Sequence, residues 1–524
     1  MNPLPLLDLF RRKASTYSAN ARSIFVWDSP ERRDGHRELL PIPLEIYHEI
    51  FSYIKLSQVS LQAGRERIRD IRSLSLVCRW FCIEMLPLVF QSVVFRPNLD
   101  GPRKYVMSFV PFCRAINHGE EFAKSLATTV DRCAFQDWFD ALLGPSADVR
   151  PFIKLHLEAL PNLSNLTTLI LRRVHLNRDP KRLNPNQYRR IPPMFSVIYE
   201  LPRLSSLTLD CCDFQDVSVK TIQKFVRRVK LRTFRLFFRA DTRISSPSDD
   251  IILEFSSLLG SLEELGTDSW LLIQQLASAS PRTSLKTLEA FWINDIGSFA
   301  NCLYQAPLLT ALTFHGHPSP SENFGQEILL SRLQNLRRFS CPPHLAYYFK
   351  NSPSLTSISF ALRMDEQKVE PIGVYCPSSA LVNIWQDLGL YPNVRELILR
   401  SEIIAFTLDA GCTNPAPREL RKLTLDDNFG SCYFIAEAFQ KVFDQFCIVW
   451  GSTSLTTLCL INMIGKLDDG DDIYQEDTKG LLGQLSQKSC FPALVSVTFS
   501  TISGKSWEWI REDASRGWRL LSAV

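Results

Sequence analysis

Between residues 166 and 499 an apolar triplet with the spacing L-x-x-L-x-L recurs twelve times, and this repetition constrains the fold more than any other feature of the chain. The copies begin with Leu166, Leu169, Leu171; Leu204, Leu207, Leu209; Leu231, Phe234, Leu236; Leu262, Leu265, Thr267; Leu285, Leu288, Ala290; and Leu309, Leu312, Phe314. They continue with Leu336, Phe339, Cys341; Leu355, Ile358, Phe360; Val394, Leu397, Leu399; Leu420, Leu423, Leu425; Leu455, Leu458, Leu460; and Leu494, Val497, Phe499. The last two positions of each copy have the two-residue period of a strand, whose alternate side chains share a face. One short strand cannot bury that face alone. The copies must therefore stack, each strand parallel to the last and followed by a helix or irregular crossover. The predicted class is α/β.

Successive middle positions lie 19 to 39 residues apart. Some fall inside the window of about 20 to 29 residues of leucine-rich repeats, and others need insertions. An irregular solenoid over residues 96–524 is the consequence. Leu126 with Val130 is a candidate for a worn first copy, and Trp507, Trp509, Ile510, Trp518 and Leu520 are candidates for the closing cap such arrays need.

Upstream, the period changes. Leu44, Tyr47, Ile50, Phe51 and Ile54 carry the spacing of an amphipathic helix, with Pro43 and Glu45 suited to its first turn. Ile71, Leu74, Val77, Cys78 and Phe81 repeat the spacing for a second helix. Pro87 is expected to end or kink the chain just after Met85 and Leu86, before the strand formers Val89, Phe90, Val93, Val94 and Phe95. So small a bundle has more apolar surface than it can hide, and either a partner or the next domain covers one side.

These residues resemble the F-box family. Its leucine-proline-x-glutamate, apolar helix, and leucine-serine-leucine-valine-cysteine-arginine-aromatic pattern is matched in three pieces. They are Ile42, Pro43, Leu44, Glu45; Ile50, Phe51, Ser52, Tyr53, Ile54; and Leu74, Ser75, Leu76, Val77, Cys78, Arg79, Trp80. Leu86, Pro87, Leu88, Val89 and Phe90 match the family's ending, as in fungal members. The stretch between Ile54 and Leu74 is longer than usual, and Trp80 stands one place before the usual aromatic position, held here by Phe81. The match spans residues 39–95 as a small all-α bundle and leaves 1–38 as a flexible N-terminal tail.

The resemblance implies docking to the small linker adaptor that joins F-box proteins to a cullin. The contacts implied are Ile42, Pro43, Ile46 and Ile50, with Val77, Trp80 and Leu88. The variable repeats, with the usual asparagine or cysteine after the strand only at Cys212 and Asn428, resemble those of F-box substrate receptors. The implied role is a non-catalytic receptor presenting protein cargo to a ubiquitin ligase. Two alternatives stay open: a scaffold using the same adaptor outside ubiquitin transfer, and an RNA-binding repeat protein or enzyme.

The strand period also marks the residues facing away from the core. The charged ones are Arg172, Asp210, Arg235, Glu264, Asp268, Glu289, Arg338, Glu396, Arg400, Lys422 and Asp426, with Phe237, Phe291, His315 and Ile398 as anchors. Mixed charge dotted with aromatics favours a polypeptide partner. Candidate contacts are Arg235, Phe237, Phe291, His315, Arg338 and Arg400, although Phe237 and Phe291 tucked under neighbouring loops would serve packing instead.

Composition narrows the rest. The 59 Lys plus Arg against 55 Asp plus Glu give a net charge of +4, too balanced for bulk attraction to nucleic acid. The 14 cysteines form no C-x-x-C pair or zinc spacing and read as reduced, mostly buried thiols. Gly504, Lys505 and Ser506 end like a phosphate loop, but Phe499 stands where its first glycine belongs. Asp468, Asp469, Asp471 and Asp472 lack the alternation of a calcium loop. No cofactor or metal is expected. No apolar run is long enough to cross a bilayer, so no membrane partner is expected. The short patch Leu4 to Phe10, flanked by Arg11, Arg12 and Lys13, does not suit a secretory signal. A cytosolic or nuclear protein is expected, with a mitochondrial presequence as the alternative.

Overall fold

The computed structural model describes residues 46, 49, 71, 73–75, 79–99, 105–107, 109–138, 150–176, 194–215, 217–238, 246–279, 283–291, 296–315, 333–341, 352–360, 391, 393–400, 419–426, 454–461, 482, 485, 491–500, 506–511 and 517–523. The chain forms two compact units, Met1–Ser261 and Leu262–Val524.

In the first unit β1 (Ser92–Phe95), β4 (Arg132–Gln136), β5 (Thr168–Arg172), β6 (Ser206–Asp210) and β7 (Thr233–Phe237) pair in that order, all parallel. The hairpin of β2 (Pro97–Leu99) and β3 (Tyr105–Met107) stands apart from them. The register sets Leu169 beside Leu207 and Phe234, and Leu171 beside Leu209 and Leu236, so each triplet stacks on the last. Helices fill the crossovers. Val219–Arg228 shows why one forms where it does: the Ser218 hydroxyl caps the Thr221 N–H, Ile222 and Phe225 face the core, and Arg227 and Arg228 meet the carbonyl end of the dipole. Behind the sheet, Phe255 packs edge to face on Phe225 and tilted on Phe234, with ring centroids within 6.3 Å.

The second unit carries β8 (Glu264–Thr267), β9 (Thr287–Ala290), β10 (Ala311–Phe314), β11 (Arg338–Ser340), β12 (Ser357–Ser359), β13 (Glu396–Arg400), β14 (Lys422–Asp426), β15 (Thr457–Ile461) and β16 (Ser496–Ser500). These too are parallel and in sequence order. Two antiparallel strands, β17 (Ser506–Ile510) and β18 (Arg519–Ala523), come after β16. Trp507 and Trp509 lie on β17 and Trp518 just before β18, at the closing end where the sequence places a cap. There Arg511 lies over the Trp518 ring at 5.2 Å, and its guanidinium donates to the Phe491 carbonyl.

The protein is thus mixed α/β with mostly parallel sheets, as its triplets demand. Every triplet coincides with one strand, and no triplet residue is more than 5% exposed. At about 1.5 to 3 kcal/mol for each large side chain removed from water, the triplets are a large source of cohesion. Neighbouring repeats are also stitched at the strand starts. Thr167, Thr310, Thr356 and Thr456 each donate a side-chain hydroxyl to a backbone carbonyl one repeat earlier, at 3.0 to 3.2 Å.

Three expectations need correction. Pro87 does not end its helix, which runs Arg79–Phe90; only one backbone bond is lost there, and Phe90 beyond it is held by Phe112 with ring centroids 4.7 Å apart. The cluster Val93–Phe95, read with the helical module, is the first strand of the parallel sheet. Finally, the worn copy near Val130 uses Val130, Cys133 and Phe135 rather than Leu126, and is itself preceded by Phe90, Val93 and Phe95. Both keep the triplet spacing with few leucines, which is why a search keyed to leucine passes over them.

Among the described residues no helix is long and apolar enough to cross a membrane. Cys113, Cys133, Cys212, Cys302 and Cys341 are buried thiols, and burial pushes the pKa of each well up.

Candidate functional site

The residues set apart by sequence fall into three groups. Of the adaptor-docking set, Ile42, Pro43, Ile50 and Val77 lie outside the described residues. Ile46 is helical and 45% exposed, an apolar side chain left facing solvent. Trp80 is in the helix Arg79–Phe90, although its side chain is not among those described. Leu88, on the same helix, is half-buried and packs with Leu74, Phe81 and Val89 around Ile71 and Met85.

In the first unit, Arg235 is half-buried at the centre of β7, where its register partner is Thr208. Phe237 is not exposed as expected but 6% accessible, and Leu236 beside it is also buried. Alternation sends the two to opposite faces, so both faces are covered at this register. Periodicity reports which face a side chain takes, not what lies over it.

The charges of this unit are paired along the strand exits. Arg172 meets Asp210 at 3.4 Å, while Arg96 and Arg173 flank Asp137 at 3.2 and 3.8 Å. Asp137, Arg173 and Cys211 occupy equivalent exit positions in successive repeats, and all three take positive φ. Each then donates its N–H to the last carbonyl of the next strand. Beyond them His175 Nδ1 and Asp213 Oδ2 lie 2.5 Å apart, a buried pair that sequence did not single out.

In the second unit two of the expected contacts do come together. Phe291 lies just after β9 and His315 just after β10, at the same register, and their rings stack with centroids 4.2 Å apart and planes 23° apart. Glu289, also on that face, has its Oε1 2.9 Å from His315 Nε2, within hydrogen-bond distance. The imidazole is 7% and the carboxylate 19% exposed. A carboxylate on one nitrogen and an aromatic ring on one face fix the imidazole in position and orientation. Among the described residues no hydroxyl or thiol is hydrogen-bonded to His315. The arrangement is a braced, largely buried aromatic cluster.

Arg338 starts β11 and is exposed, whereas Arg400 ends β13 with its side chain outside those described. Neither joins the Phe291 and His315 cluster. The sequence pattern also passes over Arg337, Arg395 and Arg421, each exposed one residue before a strand. The signal was the first x of L-x-x-L, a position outside the strict alternation.

No protein-family model matches the chain, and no curated protein does.

Proposed function

We propose that this chain is a non-catalytic substrate-recognition adaptor of a cullin-RING ubiquitin ligase. Residues 39–95 act as an F-box that binds the linker adaptor, and the repeats act as a leucine-rich-repeat solenoid that binds a protein cargo in the cytoplasm or nucleus. The observation that carries the reading is the order of two patterns along one chain. The F-box-like run from Ile42 to Phe90 leads directly into stacked strands that each begin at an apolar triplet. Supporting it, Ile46 is helical and exposed, and the resemblance makes it an adaptor contact. The Phe291 and His315 stack supplies a rigid anchor on the face turned away from the triplets.

Affinity purification of the full chain tests the proposal. Recovery of both linker adaptor and cullin is expected, and Pro43→Ala with Ile50→Ala should abolish that recovery while the repeats stay folded by circular dichroism. Adaptor without cullin would replace the ligase role by a scaffold role, and recovery of neither would overturn the F-box reading.

A further inference from the structure

The strand starts of β11 to β14 bring together exposed positive charge from separate repeats. The spacing L-x-x-L turns two consecutive side chains outward where each lead-in turn meets its strand. Before and on β11 these are Arg337 and Arg338, before and on β13 Arg395 and Glu396, and before and on β14 Arg421 and Lys422. All six are exposed, as is Glu419. Five cations therefore face two carboxylates.

Their placement is fixed by the backbone. Arg421 N–H and Lys422 N–H both donate to the Arg395 carbonyl, at 2.9 Å each. Thr356 and Ser357 donate in the same way to Arg337, and Thr456 and Thr457 to Arg421. Arg337, Thr356, Arg395, Arg421 and Thr456 are thus successive rungs of one column, about 4.8 Å apart. The carbonyls of the three arginines are therefore occupied by N–H donors. Arg395 and Arg421 also sit on neighbouring rungs, where like charges repel.

At several other strand ends such charges are neutralised. Arg172 has Asp210, Arg173 and Arg96 have Asp137, and Lys286 has Glu263 at 2.8 Å. On this rim, among the described residues, Arg337, Arg338, Arg395 and Arg421 make no side-chain hydrogen bond or ion pair, and Lys422 makes no ion pair. Repulsion retained on such a column is complementary to an anionic partner.

We infer that the strand-start rim of β11 to β14 is a docking surface for an acidic polypeptide segment, held by Arg337, Arg395 and Arg421 with Arg338 and Lys422 beside them. Glu396 and Glu419 within the patch, and the lack of any aromatic in the column Arg337 to Thr456, disfavour a nucleic-acid strand, which binds through basic grooves with stacking rings. The inference deepens the cargo side of the proposed function and rests on the repeats being a protein-binding surface. It uses no part of the adaptor contact.

The test is fluorescence anisotropy on the purified full chain with a labelled Glu-rich peptide of about twelve residues, at low and at moderate salt. The wild type should bind and weaken as salt rises. Arg395→Glu with Arg421→Glu should reduce affinity at least about tenfold, against less than about twofold for Lys220→Glu with Lys230→Glu, which makes the same change in net charge on exposed residues of the first unit. Circular dichroism checks that each variant is folded. Three results would overturn the inference: no binding by the wild type, equal losses in both variants, or a single-stranded RNA of matching length bound more tightly through the same arginines. Because the peptide assay needs no linker adaptor, its failure leaves the purification result standing, and the reverse holds as well.

Discussion

Phe291 and His315, each just past one of two neighbouring parallel strands and at one register, stack nearly face to face, with 4.2 Å between ring centroids. Glu289 holds the Nε2 edge of the imidazole, so the three side chains brace one another. Phe291→Ala should remove both the stacking and the ring's own packing, at a cost of about 1 to 2 kcal/mol. Glu289→Gln keeps the shape and one hydrogen bond and should cost less. Thermal melts of the two variants give the comparison, and equal shifts would show that the ring contributes nothing beyond the carboxylate.

The triplets set a sharper contrast within one strand. Leu288 is fully buried, whereas Thr287 beside it faces the other way and is half-buried. Leu288→Ala should destabilise by about 2 to 5 kcal/mol, since the lost methyl groups leave a cavity between stacked repeats. Thr287→Ala should stay within about 0.5 kcal/mol. Chemical denaturation midpoints check the pair. A comparable loss at both positions would mean that the strand's inward and outward faces are assigned the wrong way round.

How far the fold could be read from sequence depended on whether the deciding physics was local. The twelve leucine triplets were legible because spacing alone fixes which side chains share a face, and their burial results from the lack of any other way to hide them. Cys133 and Phe135 bury just as deeply, at the same spacing after Val130, but were missed, since burial rewards apolar volume rather than leucine. The candidate site was less legible. Phe237 faces the predicted way yet is covered, and the Glu289 to His315 pair joins residues 26 positions apart whose distance depends on the length of one crossover. The arginine column was invisible for a further reason: Arg337, Arg395 and Arg421 fall into one column only once the strands are in register.

The repeated strand exit in the first unit predicts an uncommon tolerance. Arg173 has φ of 52°, in the left-handed region that costs an ordinary residue about 1 kcal/mol or more. Arg173→Gly relieves that strain, and the ion pair it gives up to Asp137 is long and partly exposed, so stability should be unchanged or slightly raised. Arg173→Val, β-branched at the same φ, should instead destabilise by about 1 to 2 kcal/mol. Melting the two variants side by side decides it, and a Gly variant weaker than the Val one would rule out backbone strain as the controlling factor.

Buried thiols impose an alkaline limit on stability. Desolvation raises the pKa of Cys133 and Cys341 well above the ordinary thiol value, so both keep their protons in the folded state at pH values where the unfolded chain releases them. Above the unfolded pKa of about 8.5 the folded state therefore binds more protons, and stability falls as pH rises, by up to about 1.4 kcal/mol per pH unit for each such thiol. Below that pH they contribute no slope. Denaturation midpoints of wild type and of Cys133→Ala with Cys341→Ala, taken near neutrality and again about one unit above the thiol pKa, measure the effect. The double variant starts weaker, because each Ala leaves a small cavity, but it should lose less on going to the higher pH. Parallel losses in the two proteins would assign the alkaline limit to groups other than these thiols.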